Sequence, residues 1–280
     1  MKTKLAYALV SLIASCAFAS EEVVILDNEM IATHHQPSDT PKASVLMVHG
    51  WAGQMNEVGD FYKRLASLLA DQNIASLRIN IRGESEQAAT NYTLTSTFSS
   101  RVTDAKTGLS FLKQTYPDIK TGVVGFSLGG ATAIALAGEK NNEIDSLVLW
   151  SSADTPAEVV KNLLDAQQTK QLEEGNNVVM NAWVDITITP QHFKGFFVSD
   201  IFPSFGAYSG ALMTIRGTED YLPDIDRKIL DVAAGDIEES RYISGADHIF
   251  NVLDPNETYD DRVLHQTIQW FIDTLENDSD

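Results

Sequence analysis

Residues 122–138 read GVVGFSLGGATAIALAG. An apolar run, Val123-Val124-Gly125, leads in, and a run of small helix-forming residues, Ala131 to Ala137, leads out. Ser127 stands between them, with Gly125 and Gly129 two positions to either side and Gly130 following. A sharp, strained turn at the serine requires small neighbours, which the glycines supply. Strand, turn and helix carrying G-x-S-x-G form a nucleophile elbow, in which the helix aims its free N–H groups and positive dipole end at the serine hydroxyl. The alternative is a glycine-rich packing turn with no chemistry.

On both sides of this stretch, apolar strands alternate with amphipathic helices. Val23–Leu26 and Met30–Thr33 read as two strands about a turn, and Ser44–Val48 as a strand buried on both faces. Val58, Phe61, Tyr62, Leu65, Leu68 and Leu69 recur at helical spacing, and a second central strand spans Ala75–Asn80. Residues 83–97 are polar and loop-like. Val102, Ala105, Leu109, Leu112 and Tyr116 predict another helix, ended by Pro117. Further strands are expected at Thr121–Gly125, Ser146–Trp150, Ala211–Ile215 and Arg241–Ile243, with helices around Ile225–Ala233 and Val263–Leu275. This alternation predicts an α/β class with a doubly wound, mostly parallel sheet. Residues 152–208 break the rhythm with polar helical stretches and a cluster of Trp183, Phe193, Phe196, Phe197, Phe202 and Phe205. They are expected to form a small cap insertion over one end of the sheet.

The N-terminus reads as a targeting segment. Lys2 and Lys4 precede an apolar core, Leu5–Ala14, and Ala17-Phe18-Ala19 offers a cleavage site. The expected organisation is therefore a signal peptide over 1–19 and one domain over 20–280. Ile13-Ala14-Ser15-Cys16 also resembles a lipobox, in which Cys16 would carry a lipid anchor. Export, to a periplasm or to the exterior, is expected under either reading. Cys16 is the sole cysteine, so cleavage after Ala19 leaves a chain without disulfides or thiol chemistry. The formal charge of −19 opposes binding to nucleic acid phosphates and to anionic membrane surfaces. No segment after the leader is apolar and long enough to span a bilayer.

A serine hydroxyl becomes a nucleophile when a base takes its proton and an acid orients that base. On this kind of elbow the chain order is serine, acid, histidine. His192, His248 and His265 follow Ser127. His265 falls within the last amphipathic helix, and His192 within the cap before any suitable acid. His248, in SGADHIF, follows a strand directly, at the sheet edge where such folds bind ligands. It is the expected base. The acid comes from TIRGTEDYLPD, where Glu219 and Asp220 both qualify chemically.

Gly217-Thr218-Glu219-Asp220-Tyr221-Leu222-Pro223 resembles the G-x-x-D-x-x-P pattern of the α/β-hydrolase superfamily, which implies Asp220 as the acid and Glu219 as a loop charge. VLMVHGWAG (Val45–Gly53) resembles the family's His-Gly-x stretch, which implies an oxyanion hole made by the backbone N–H groups of Trp51 and Leu128. His49 then buttresses the loop. Asn80–Ser85, NIRGES, resembles the R-G-x-G-x-S loop of many members but is one residue shorter. The closest likeness is to small-capped serine carboxylesterases, feruloyl-esterase-like and serine aminopeptidase-like proteins among them. The resemblance implies an α/β-hydrolase fold and a serine hydrolase that takes small-molecule esters without a cofactor. Relatives that use an aspartate or cysteine nucleophile are set aside by the serine at 127. A peptidase or amidase of the same fold would want an acidic group in the cap, for which Glu173, Glu174, Asp185 and Asp200 qualify. A non-catalytic binding protein would ordinarily have lost a triad residue. Trp183, Phe193 and Phe197 are candidates to line an acyl or aryl pocket, the alternative being that the aromatic residues form the cap's own core. His34-His35 sit on successive strand positions, which face opposite ways, and no metal motif appears.

Overall fold

The structure is a computed structural model that describes residues 19–84, 91–198 and 200–276. Cys16, nearly all of the expected leader, Ser85 at the end of the shortened loop with residues 86–90, Ser199 and the last four residues lie outside the described residues.

Eleven strands and nine α-helices are described. The hairpin β1 (Ser20–Leu26) and β2 (Met30–Gln36) precedes β3 (Ala43–Val48), α1 (Phe61–Ala70) and β4 (Ile74–Ile79). Next come β5 (Asn91–Leu94), α2 (Phe98–Thr115), β6 (Lys120–Phe126), α3 (Leu128–Ala137) and β7 (Ser146–Trp150). An inserted segment contains α4 (Pro156–Lys161), α5 (Ala166–Glu173), β8 (Val178–Asn181), β9 (Asp185–Ile188), α6 (Pro190–Gly195) and α7 (Phe202–Phe205). The chain then closes with β10 (Ala211–Gly217), α8 (Asp226–Val232), β11 (Glu238–Ile243) and α9 (Tyr259–Leu275).

The main sheet runs β1-β2-β4-β3-β6-β7-β10-β11. β1, β2 and β4 are paired antiparallel, and every pair from β4 through β11 is parallel. Every residue of β3, β4, β7 and β10 is buried, as a sheet covered on both faces requires. Alternate side chains divide between two cores. Val45, Met47, Val124, Val148 and Met213 pack with Phe61, Leu65 and Leu69 of α1 and with Val263, Leu264 and Phe271 of α9. Leu46, Val48, Val123, Leu147 and Leu149 face the other way, toward α2, α3 and α8. Period-2 alternation thus assigns each strand residue to a layer, and the helices lie on both sides.

Two expectations need correction. Residues 83–97 are not wholly loop, because β5 pairs with β9 in parallel register from Asn91↔Asp185 to Leu94↔Ile188. The segment between β7 and β10 also contributes strands as well as helices, and β8 pairs antiparallel with β9 to complete a three-stranded sheet. This small sheet does not enclose a core of its own. Leu94, Leu172, Val178, Ile186, Ile188, Phe193, Phe196, Phe202 and Phe205 join the α2–α3 core in one continuous apolar cluster.

The crossing of α3 over the end of β3 is the tightest point relevant to the site. A Cβ on Gly129 would lie inside contact distance of Val48 O and 2.6 Å from His49 O. Gly175 contrasts with it, having φ of +93° and nothing within 4 Å of a built Cβ. Gly129→Ala is therefore expected to cost more than about 3 kcal/mol through backbone displacement, and Gly175→Ala about 1 kcal/mol through φ strain alone. Urea denaturation of the two variants checks the ranking, and a Gly129→Ala midpoint equal to that of wild type would overturn it.

Candidate active site

Four loops at the carboxyl ends of β3, β6, β10 and β11 carry the polar side chains that the sheet order brings together. Ser127 follows β6 and opens α3 with φ 53° and ψ −118°, a conformation that costs a non-glycine residue of order 1–3 kcal/mol. Its N–H donates to Trp150 O at 2.9 Å, and its carbonyl accepts from Gly130 N and Ala153 N at 3.0 and 3.1 Å. These bonds on both sides hold the turn. Gly125 cannot take a Cβ because the Gly129 carbonyl occupies that space.

His248, in the loop after β11, places Nε2 at 3.0 Å from Ser127 Oγ and Nδ1 at 2.8 Å from Asp220 Oδ1. This geometry selects the neutral tautomer in which Nδ1–H donates to the carboxylate and Nε2 accepts from the serine hydroxyl. Phe126 and Tyr221 pack against the imidazole, with ring centroids 5.1 and 4.6 Å away. Asp220, in the loop after β10, is almost fully buried. It also accepts from Leu222 N at 2.9 Å and from Arg216 Nη1 at 2.8 Å. Burial pushes its carboxyl up, but the His248 bond, the Leu222 N–H and the Arg216 charge outweigh that and hold it below the usual carboxylate range. Glu219 is exposed, and Asp247 is occupied with the N–H groups of Ile249 and Asn251.

The loop after β3 comes next. Among the described residues no protein acceptor faces the Trp51 N–H or the Leu128 N–H. Leu128 is the first residue of α3, where unpaired N–H groups and the positive dipole end coincide. His49 is fully buried. Its Nε2 accepts from Ile81 N at 3.0 Å, which fixes the tautomer whose Nδ1–H donates to Gly50 O at 2.8 Å. Because the peptide is trans, a carbonyl held inward turns the N–H of Trp51 outward. Desolvation holds the His49 imidazole down to about 4, so it stays neutral in this role.

Five ionisable groups around this centre escaped the sequence reading. Arg101 donates to His49 O at 2.6 Å, to Thr132 Oγ1 at 3.1 Å, and pairs with Glu84 with both side chains fully buried. Arg216 ties Asp220 to Asp226 and to Ser152 O. Glu57 is buried and accepts from Gly50 N and Val58 N. A signal for Arg101 existed: it lies four residues before Ala105 and eight before Leu109, on the buried stripe of α2. His192, expected to be a bystander, is buried and accepts from Trp51 Nε1 at 2.8 Å, while its Nδ1–H donates to Ser96 O at 2.9 Å.

The expected aromatic pocket is not assembled as a unit. Phe193 is 2% exposed and belongs to the core, so it is not available to a ligand. Trp183 stands 64% exposed at the β8–β9 turn, and Phe197 is half-exposed with Lys161 Nζ 4.6 Å from its ring centre. Among the described residues no group of His, Cys, Asp and Glu is set to hold a metal ion, and no helix is long and apolar enough to cross a membrane.

Burial raises the Glu57 carboxyl to about 7, against the pull of the Gly50 and Val58 N–H groups and of Arg101. A carboxyl raised in the fold contributes stability that is present below its unfolded value and lost as pH rises through its folded value. Glu57→Gln has no such proton. The stability difference between Glu57→Gln and wild type is expected to shift in favour of the variant by up to about 3 kcal/mol between pH 4.5 and pH 8. Urea denaturation at several pH values measures it, and a flat difference would contradict the assignment.

The chain is similar in fold to Est1E from Butyrivibrio proteoclasticus with ferulic acid bound, at 15% identity over 89% of this chain and 98% of that one, with a TM-score of 0.70. It is also similar to the esterase domain of a Rhodothermus marinus protein, at 18% identity over 90% and 97%, TM-score 0.63. A third structure is the dienelactone hydrolase from Anabaena variabilis ATCC 29413, at 13% identity over 92% and 99%, TM-score 0.58. No curated protein sequence matches the chain. The family model described as serine aminopeptidase, S33, matches residues 39–192, more than half of the chain and the part that holds the elbow, the loop after β3 and His192. With its parallel sheet flanked on both faces and its serine at the strand-to-helix turn, the chain belongs to that family, within the α/β-hydrolase superfamily.

Proposed function

We propose that this protein is an exported serine hydrolase that cleaves carboxylic esters of small or medium acyl or aryl acids through an acyl-enzyme. The observation that carries the reading is the unbroken relay Asp220–His248–Ser127, with contacts of 2.8 and 3.0 Å. Ser127 Oγ attacks the ester carbonyl while His248 Nε2 accepts its proton. Asp220 holds the imidazole in the accepting tautomer and stabilises the imidazolium that forms. Trp51 and Leu128 N–H groups stabilise the tetrahedral oxyanion, a contribution of roughly 3 kcal/mol per donor. His248 then protonates the departing alcohol. It next takes a proton from water, whose attack releases the acid and restores the serine. The leader over residues 1–19 supports export.

The family description favours a second reading, hydrolysis at the amino terminus of peptides. Such a substrate needs a carboxylate to hold its ammonium group. Glu173, Glu174, Asp185 and Asp200 are all exposed. Glu174 pairs with Lys170, Asp185 accepts from Asn181, and Asp200 accepts from Phe202 N. These engagements leave Glu173 as the candidate among the four for holding an ammonium group, and the ester reading needs none. Aryl acids enter because Trp183 presents exposed aromatic surface on the inserted segment.

A panel of chromogenic esters from acetate to decanoate, with an aryl-acid ester and aminoacyl anilides alongside, tests both. Wild-type protein is expected to turn over esters in preference to anilides, and Ser127→Ala to lose at least about a thousandfold in kcat. Preference for aminoacyl anilides would transfer the protein to the peptidase reading. Aryl esters hydrolysed no faster than acetate esters of the same alcohol would remove the aryl part of the proposal.

A further inference from the structure

The loop that presents the Trp51 N–H is gripped from behind by two carboxylates. Gly50 N donates to Glu57 Oε1 at 2.5 Å, and Ala52 N donates to Glu84 Oε2 at 3.1 Å. These are the N–H groups immediately before and after that of Trp51. Both flanking peptides are therefore turned inward, while the one between them, whose carbonyl His49 holds, is turned outward. Each carboxylate is itself anchored. Glu57 Oε2 accepts from Val58 N at 3.0 Å, and Glu84 Oε1 accepts from Ser96 Oγ at 2.7 Å while Oε2 pairs with Arg101. Space for the first carboxylate is kept open by Gly53, where a Cβ would come within 3.2 Å of Glu57 Oε1.

The loop's own bonds hold it weakly: besides the His49 contact, its internal backbone bond on the Gly50 carbonyl is Gly53 N to Gly50 O at 3.4 Å. Ala52 has φ of +50° and Glu57 φ of +61°, both in the left-handed region that these residues disfavour. Helix or strand hydrogen bonds are absent between Gly50 and Ala52. Burying two acidic side chains here is costly for stability alone, even with Arg101 paired to Glu84, since an apolar loop packing would avoid the desolvation. The cost is understandable if the product is a fixed direction for one peptide N–H.

We propose that Glu57 and Glu84 are positioning residues of the oxyanion hole, forming a clamp on the peptides either side of Trp51 that aims its N–H at the developing oxyanion. The proposal rests on the serine-hydrolase reading above. Neither carboxylate touches substrate; both act through the backbone. Misdirecting one donor weakens binding of the transition state and leaves ground-state binding nearly unchanged, so the effect falls on kcat rather than KM.

The test uses the full protein and three variants, Glu57→Ala, Glu57→Asp and Glu57→Gln, with circular dichroism confirming that each is folded at the assay temperature. Two readouts are taken: kcat and KM on the best ester of the panel, and the affinity of a phenylboronic acid, whose tetrahedral serine adduct places an oxygen at the oxyanion position. Glu57→Ala is expected to lose about ten- to a hundredfold in kcat and a similar factor in boronate affinity, with KM changed less than about threefold. Glu57→Asp, one methylene short, is expected to lose about three- to tenfold in both. Glu57→Gln, whose amide oxygen still accepts from Gly50 N–H while its NH2 loses the Val58 N–H bond, is expected to recover part of both and to lie above Glu57→Ala. If Glu57→Ala does not fold, the Asp and Gln pair carries the comparison. Boronate affinity and kcat in folded Glu57→Asp equal to wild type would overturn the clamp with the hydrolase reading intact. Wild-type protein that neither hydrolyses any ester nor binds the boronate would overturn the hydrolase reading and the clamp with it.

Discussion

No side chain fits between the first turn of α3 and the last carbonyls of β3, and the active centre follows from that exclusion. Gly129 lets the helix approach Val48 O and His49 O within van der Waals limits, and Gly125 lets the elbow close over its own carbonyl. The close approach puts the unpaired N–H of Leu128 beside the loop that carries Trp51. It also forces Ser127 into a left-handed conformation that the bonds from Trp150, Gly130 and Ala153 must maintain. Strain at the serine and presentation of its hydroxyl to His248 are one geometric fact. The remaining partners reach it because β10 and β11 follow β7 in the sheet, so their loops open on the same edge.

Around this steric centre lies a shell of buried charge. Arg101 with Glu84, and Arg216 with Asp220 and Asp226, are pairs in which removal of one partner leaves the other uncompensated, a loss of 3–5 kcal/mol in comparable cases, roughly speaking. Arg216 shares Asp220 with His248, each taking a different oxygen. The carboxylate is thereby kept ionised and oriented. His49 and His192 are the neutral members of the shell, both held down to about 4 by burial. Their Nδ1–H groups point at carbonyls and their Nε2 atoms accept from Ile81 N and Trp51 Nε1.

The alternation of apolar strands and amphipathic helices was legible from the sequence, because burial on two faces writes continuous apolar runs and burial on one writes helical stripes. So were the positions of Ser127 and His248, since each follows a readable strand, whereas the choice of Asp220 over Glu219 rests on the resemblance to the α/β-hydrolase superfamily. The three-stranded sheet was not. Its strands are four residues long, and Asn91–Leu94 sits in a polar stretch where alternation has no room to declare itself. The aromatic residues of the inserted segment announced burial or a pocket equally well, and Phe193 proved to be core. The buried acids were opaque for a different reason: a charged residue shows its partner only in space, and Glu57 and Glu84 lie 27 positions apart on loops whose apolar patterning is weak.

The continuity of the inserted segment with the α2–α3 core has a consequence for how such a protein can diverge. A lid with its own interior can be exchanged, lengthened or lost while the catalytic half persists. Here Phe193, Phe196, Phe202 and Phe205 fill the same apolar volume as α2 and α3, and α6 grips Trp51 through His192. Remodelling this segment disturbs the scaffold and the loop that carries Trp51 together. Divergence is therefore channelled into side chains that protrude from the segment, Trp183 and Phe197 among them, which stand 64% and 48% exposed.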